Sequence, residues 1–269
     1  MLTLGIDVGA SKVSAALVKN GRILRACKHS YRRRRRGAAR RAILQCLTSS
    51  QGKAKISGVG LGVPCAFNKT GKSLVCANIL RLSPEKLAKT IRKKLGVPVR
   101  LENDVKAAAL AEIKYGAGRR SKNFVFVALG TGIGGAVVID GKLYKGALGW
   151  AGELGQMIMQ VKNTATWEGI STKQFLKSKR GSKDVEDFAK QVGIGLLNIV
   201  YAFAPEVIVI GGGLSSLWNR RFGKVVLRAM SQRIVSKNMP LPKIIRSRLG
   251  EDAGVIGAAL LPALRSGKK

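Results

Sequence analysis

The sequence predicts an α/β protein built as two similar domains with a cleft between them, and three observations lead there. Short apolar runs bounded by glycine alternate with helical patterns along all 269 residues, the order expected of sheets covered by helices. The first half of the chain reads as hairpins, crossover helices and strands, and the second half repeats that theme with no long linker between them. Acidic or glycine-rich turns stand where strands end in both halves, which is where open α/β sheets carry their sites.

The elements follow in order. Leu2–Val8 is an apolar strand that stops at Gly9. Val13–Lys19 is a second strand, closed by Asn20-Gly21, a strong hairpin signal. Arg22–Ser30 is the third strand and Ala38–Ser49 a helix. The nearly unbroken apolar run Ile56–Val63 fits a strand covered on both faces. Ser83–Leu95 opens with Ser83 as N-cap and Pro84 at the first helical position, and stops before Gly96. Val97–Leu101 is a strand, and Asp104–Tyr115 a helix ended by Gly116. The second half starts near Asn123 with the strand Phe124–Leu129, then Gly130–Gly135, and a hairpin of Ala136–Ile139 and Lys142–Tyr144 around Asp140-Gly141. Asp184–Phe203 and Leu217–Val235 read as helices, Val207–Ile210 and Pro242–Ser247 as strands, and Ala253–Leu264 as a closing helix. The expected domains are residues 1–118, with the closing segment 253–269 packed on them, and 119–252.

Composition excludes several function classes. The chain carries 49 Lys+Arg against 14 Asp+Glu, a formal charge of +35, yet 46% of its residues are apolar, enough for a sizeable core. Aromatic residues make up only 5%, which argues against a surface for stacking single-stranded bases. With His29 the one histidine, neither a Ser-His-Asp triad nor a multi-histidine metal site within the chain is expected. Cys27, Cys46, Cys65 and Cys76 contain no C-x-x-C, so they are expected to be four buried apolar thiols in a reducing compartment. The N-terminus lacks a signal-peptide pattern, and the longest apolar candidate, Ile199–Ile210, is cut by Pro205 and Glu206. The expectation is a soluble cytoplasmic protein with no membrane span.

Four turns carry candidate chemistry. Asp7, at the end of the first strand, precedes Gly9-Ala10-Ser11-Lys12; a carboxylate beside a small-residue hairpin with a hydroxyl and an amine suits magnesium and phosphate. Gly130–Gly135 contains a literal G-x-G-x-x-G, but a hairpin follows it instead of a helix, so the dinucleotide-binding reading fails. Ile208-Val209-Ile210-Gly211-Gly212-Gly213 reads as strand, glycine turn and helix, a geometry that aims amide N–H groups at a nucleotide. Asp104 stands where a strand meets a helix, and the residues alone leave it two roles, helix N-cap or reactive carboxylate.

These motifs, in this order, resemble the ROK family of sugar kinases, in the actin/hexokinase-like superfamily. The resemblance covers nearly the whole chain: Leu4–Lys12, Gly60-Leu61-Gly62-Val63-Pro64, Leu101-Glu102-Asn103-Asp104, Ala107–Glu112, Leu129–Met157, Pro205–Gly213 and Asp252–Ala259. It implies two actin/hexokinase-like (ribonuclease H-like) domains with an interdomain active-site cleft. It implies Asp104 as the catalytic base and Asn78, Asn103, Glu153, Gln156 and Glu168 as sugar-binding residues. Asp7 would hold Mg2+, through water. Gly9, Ser11, Lys12, Thr131 and Gly132 would contact the phosphates, and Gly211 and Gly212 the adenosine of ATP. It further implies a homodimer.

The departures from the family pattern are informative. Ser11 replaces the usual threonine of Gly-Gly-Thr-Lys and keeps a hydroxyl. Gln156 stands where the family has a histidine that touches sugar and ligates zinc, and no cysteine lies beyond Cys76 to build the family's zinc loop. The chain therefore resembles a short, zinc-free branch, with Trp167-Glu168-Gly169 replacing the end of that loop.

Basic runs occur at Arg32–Arg36, at Lys86–Lys94, at Lys173–Lys183 and, near the C-terminus, at Arg248, Arg265, Lys268 and Lys269. They read mainly as solvated faces. Three functions compete: a hexose kinase using Mg-ATP, glucose at its 6-hydroxyl being the leading acceptor; a glucokinase using inorganic polyphosphate; and a non-catalytic sugar- or nucleic-acid-binding regulator. The third is disfavoured because the first strand begins at Leu2, without an added DNA-binding domain. Specific nucleic-acid recognition is not expected, although a field of this sign attracts polyanions without regard to sequence.

Overall fold

The computed structural model describes residues 1–32, 37–76 and 83–264. Asn78, most of the arginine run and the basic residues at 265–269 lie outside the described residues. The chain divides into two compact units: Met1–Gly116 with Lys145–Ala151 and Asp252–Lys269, and Ala117–Tyr144 with Gly152–Glu251. Each has a mixed sheet with helices, an α/β architecture.

In the first unit the chain runs β1 (Leu2–Val8), β2 (Lys12–Lys19), β3 (Arg22–Ser30), α1 (Ala38–Gln51), β4 (Val59–Val63), β5 (Cys65–Phe67), β6 (Ser73–Cys76), α2 (Pro84–Leu95), β7 (Val99–Asn103) and α3 (Asp104–Lys114). The main sheet has the order β3-β2-β1-β4-β7. β1 pairs antiparallel with β2 and parallel with β4, and β4 pairs parallel with β7. The β2–β3 turn uses Asn20 (φ 52°) and Gly21 (φ 79°), the left-handed pair that a two-residue hairpin requires. Leu4, Ile6, Val13, Leu61 and Val63 fill the core with Ile43 and Leu47 of α1.

The second unit contains β8 (Phe124–Leu129), β9 (Ile133–Ile139), β10 (Lys142–Tyr144), β11 (Ile158–Gln160), β12 (Ala165–Thr166), α4 (Gln174–Lys177), α5 (Ser182–Phe203), β13 (Val207–Gly211), α6 (Arg220–Ser231) and β14 (Lys243–Arg246). Its main sheet has the order β10-β9-β8-β13-β14. Position for position this is the pattern of the first sheet: two antiparallel hairpin connections, then two parallel neighbours. Trp167 is fully buried, its indole N–H donating to the Gln191 carbonyl at 3.1 Å. Phe175 stacks on Phe188 at 4.7 Å between ring centres.

The chain then returns to the first unit as α7 (Ala253–Leu260). A Cβ at Gly5 of β1 or Gly60 of β4 would occupy the space of the Val255 or Ala258 carbonyl, and one at Gly257 that of the Ala107 carbonyl. The glycines thus let α7 lie directly on the sheet and against α3.

Three sequence expectations are corrected. The helix expected over Leu217–Val235 is α6 alone, preceded by a short 3-10 turn, Gly213–Leu217. Asn219 starts it by accepting the Phe222 N–H at 3.0 Å, and the Tyr201 hydroxyl draws the chain off beyond Ser231 by accepting the Val235 N–H at 2.8 Å. The closing helix stops at Leu260 and tightens into a 3-10 turn over Leu261–Ala263. The cysteines are not free thiols: Cys27 is bonded to Cys46 and Cys65 to Cys76. Neither pair has a local motif. The first forms because α1 lies over β3, and the second because the β5–β6 register sets Cys65 opposite Cys76. The expected reducing compartment rested on free thiols and loses that support.

Candidate active site

In the first unit, chemistry gathers at the carboxyl ends of the parallel strands β1, β4 and β7. Asp7 sits one residue from the end of β1, opposite Ser14 and beside Gly62. A Cβ at Gly254, in the first turn of α7, would collide with the Asp7 carboxylate, so helix backbone packs directly against the acid. Burial, then the negative charge of Asp104, push the Asp7 carboxyl up to about 7, against the pull of Lys12. The β1–β2 turn is held by Gly9 N–H to the Lys12 carbonyl at 2.9 Å, and by Tyr31, whose hydroxyl donates to the Gly9 carbonyl at 2.6 Å and whose N–H donates to the Ser11 carbonyl at 2.8 Å. The Ser11 and Lys12 side chains are exposed on this braced turn.

β7 passes into α3 without a loop. Asn103 is the N-cap: its Oδ1 accepts the Lys106 N–H at 3.0 Å and its Nδ2 donates to the Cys65 carbonyl at 3.3 Å. Of the two roles the residues left to Asp104, capping therefore falls to its neighbour, and Asp104 is the first helical residue, half-buried, with its Oδ1 accepting the Val105 N–H. Glu102 is buried and paired with Lys145. Lys106 is only 1% exposed, its ammonium donating to the Gly149 carbonyl at 3.2 Å. Sequence reasoning passed over Lys106 and Lys145; the signal for Lys106 was a single cation on an otherwise apolar, alanine-rich helix.

In the second unit the corresponding strand ends, β8 and β13, carry the glycine turns. Gly212 has φ 80°, and a Cβ there would strike the Leu129 backbone, so only glycine lets the end of β13 close on the end of β8. Thr131 is exposed at the tip of the β8–β9 turn, which Gly130 N–H closes on the Gly132 carbonyl at 2.9 Å. Glu168 backs this turn: its Oε2 accepts the Ile133 N–H at 3.2 Å, its Oε1 pairs with Lys173 at 2.6 Å, and a Cβ at Gly132 would meet the carboxylate. Glu153, at the N-cap of a short 3-10 turn, Leu154–Gln156, and Gln156 within it are exposed, and the turn is seated on β9 because Gly155 packs against the Ile133 carbonyl. Thr131, Gly132, Glu153, Gln156, Glu168, Gly211 and Gly212 are thus gathered around the start of β9 and the ends of β8 and β13. Glu168, read from the sequence as a sugar ligand, lies against the glycine turn, with both carboxylate oxygens engaged within its own unit.

Among the described residues no three His, Cys, Asp or Glu side chains converge as a metal cluster, and no helix is long and apolar enough to cross a membrane. The Asp7–Asp104 pair has the chemistry for a water-mediated divalent cation, because the charge repulsion that Asp104 exerts on Asp7 is relieved by a cation as well as by a proton.

A family model described as the ROK family matches residues 3–170 and 160–264. The chain belongs to the ROK family. Among curated ROK relatives, the glucokinase of Streptomyces coelicolor is 26% identical, with 96% of each chain covered. The xylose repressor of Bacillus subtilis is 28% identical over 74% of this chain and 59% of the repressor. Among solved structures, a ROK family glucokinase from Streptomyces griseus, determined in complex with glucose and AMPPNP, superposes with a TM-score of 0.85 at 23% identity, covering 96% of this chain and 98% of that one. The chain is therefore similar both to glucokinases and to a xylose repressor, and the assignment among them rests on the site.

Proposed function

We propose that the chain is an ATP-dependent hexose kinase that transfers the terminal phosphoryl group of ATP to a sugar hydroxyl, with glucose at O6 as the leading acceptor. The observation that carries this reading is the Asp7–Asp104 pair at the ends of β1 and α3, with phosphate-type turns at Gly9–Lys12 and Gly130–Gly132. Similarity to glucokinases over nearly the whole chain supports it.

Asp104 accepts the proton of the attacking hydroxyl as that oxygen bonds to phosphorus and the bond to the ADP oxygen breaks. A carboxylate suffices as base because in a loose phosphoryl transfer the proton leaves late. Asn103 has one amide hydrogen and one lone pair left after capping α3 and bonding Cys65, so it can both donate to and accept from sugar hydroxyls. Glu153 and Gln156 supply further polar contacts of the type a polyol needs. Ser11, Lys12, Thr131 and the amides of the two glycine turns orient the phosphates, and the Gly211-Gly212 turn takes the adenosine side. Magnesium, held through water by Asp7 beside Asp104, would offset negative charge on the transferring phosphates when bound.

Two alternatives have distinct signatures. Inorganic polyphosphate as donor is favoured by the charge of +35, and a sugar-binding regulator by the repressor relatives. An assay of ADP and sugar phosphate with Mg-ATP or polyphosphate, across glucose, mannose, fructose, allose and N-acetylhexosamines, separates them. ATP-dependent phosphorylation of a hexose supports the proposal; polyphosphate-only turnover, or sugar binding without turnover, replaces it.

A further inference from the structure

We propose that the outer face of α2 is a docking surface for the phosphate backbone of duplex nucleic acid. The helix turns Pro84, Leu87, Ala88 and Ile91 inward. Its exposed residues include Lys86, Lys89, Arg92, Lys93 and Lys94. Arg92 donates to the Val99 carbonyl at 3.3 Å. The four lysines instead surround a shallow depression together with Thr90. Among the described residues none of the four forms an ion pair.

The lysines lack counter-charges because the first unit has few carboxylates and each is used elsewhere. Glu85, the acid on α2 itself, accepts from the Ser73 N–H at 2.8 Å and the Ser83 hydroxyl at 3.2 Å. Glu102 and Glu112 are buried, Asp7 and Asp104 share the strand-end site, and Asp252 lies 3.9 Å from Lys28. α6 makes the contrast. It is as basic, but the Glu186 carboxyl on neighbouring α5, held below the usual range first by Lys190, also feels Arg221 and Arg228.

Charge complementarity fits a polyanion, and the geometry favours a duplex. Lys94 lies eight positions beyond Lys86, about 12 Å along the helix, comparable to the roughly 12 Å width of a DNA major groove. The two ends of the face can therefore reach phosphates of opposite strands. None of the exposed α2 residues is aromatic or amide-bearing, so the contacts position without reading sequence. None is apolar either, unlike a helix that inserts into a lipid surface. This inference is independent of the kinase assignment.

The test is the salt dependence of binding to a short labelled DNA duplex by fluorescence anisotropy. The variants are Lys86→Gln/Lys89→Gln/Lys93→Gln/Lys94→Gln and a charge-matched control, Arg220→Gln/Arg221→Gln/Lys224→Gln/Arg228→Gln. The α2 variant should lose roughly 3–4 units from the slope of log affinity against log salt, and the control less than about one. Replacing the four lysines by arginine should retain binding, which excludes misfolding as the cause. Equal losses in the α2 and α6 variants would show a whole-molecule field and overturn the proposal. So would an unchanged α2 variant, or α2-dependent binding of inorganic polyphosphate or anionic vesicles but not of the duplex.

Discussion

Asn103 caps the Lys106 backbone N–H at 3.0 Å, and so fixes the start of the helix whose first residue is Asp104. The same side chain reaches the Cys65 carbonyl. Asn103→Ala should therefore lower unfolding free energy by about 1–2 kcal/mol, a typical N-cap loss. Asn103→Ser should recover most of that stability, because a serine hydroxyl also caps. Both should weaken sugar affinity, since neither keeps the amide. Urea unfolding and sugar titration, run on both variants, separate the two roles.

Gly132 lies against the Glu168 carboxylate. Gly132→Ala should displace the β8–β9 turn and lower kcat/KM for ATP by about ten- to a hundredfold. Adding Glu168→Ala removes the obstruction, so the double variant should regain part of the loss. Steady-state kinetics with varied ATP check this; a double variant worse than both single ones would contradict the close approach.

Asp7 keeps its proton in the folded protein up to about pH 7, against an ordinary value of 3.8. Between these limits the folded state binds more protons than the unfolded chain, so Asp7 makes stability fall as pH rises. Asp7→Asn should thus match wild type near pH 4 and exceed it above pH 8 by roughly 2–4 kcal/mol, measured without divalent cations. A constant difference between the two proteins across that range would contradict it.

Most elements of both sheets were legible in the sequence because hydrophobic period, Asn-Gly and Asp-Gly turns and a Ser-Pro-Glu helix start are local signals. The β5–β6 hairpin was not, since strands of three and four residues fall below the length at which alternation is visible. The 3-10 turn at Gly213–Leu217 escaped because Asn219, not the glycine run, starts α6. At the site, the acidic and glycine turns could be named from their order. The placement of Glu168 behind the turn at Gly132, the burial of Lys106 and the pairing of Lys145 with Glu102 depend on tertiary packing, which no local pattern encodes.

The two disulfides close segments with sequence separations of 19 and 11. Replacing Cys27 and Cys46, or Cys65 and Cys76, by serine should cost about 2–4 kcal/mol per pair. A dithiol reductant should lower the urea midpoint of wild type but not of the variant lacking all four cysteines. Equal midpoints with and without reductant, together with four titratable thiols, would restore the expectation of free cysteines.

The central claim is that Asp104 is the base for phosphoryl transfer to a sugar. The most direct measurement compares wild type with Asp104→Asn for glucose phosphate formed from Mg-ATP, alongside glucose binding by calorimetry. Wild type should give stoichiometric ADP and sugar phosphate, and the variant a rate lower by about a thousandfold with glucose affinity changed little. Wild-type-like turnover by Asp104→Asn, or no transfer by wild type to any hexose, would contradict it.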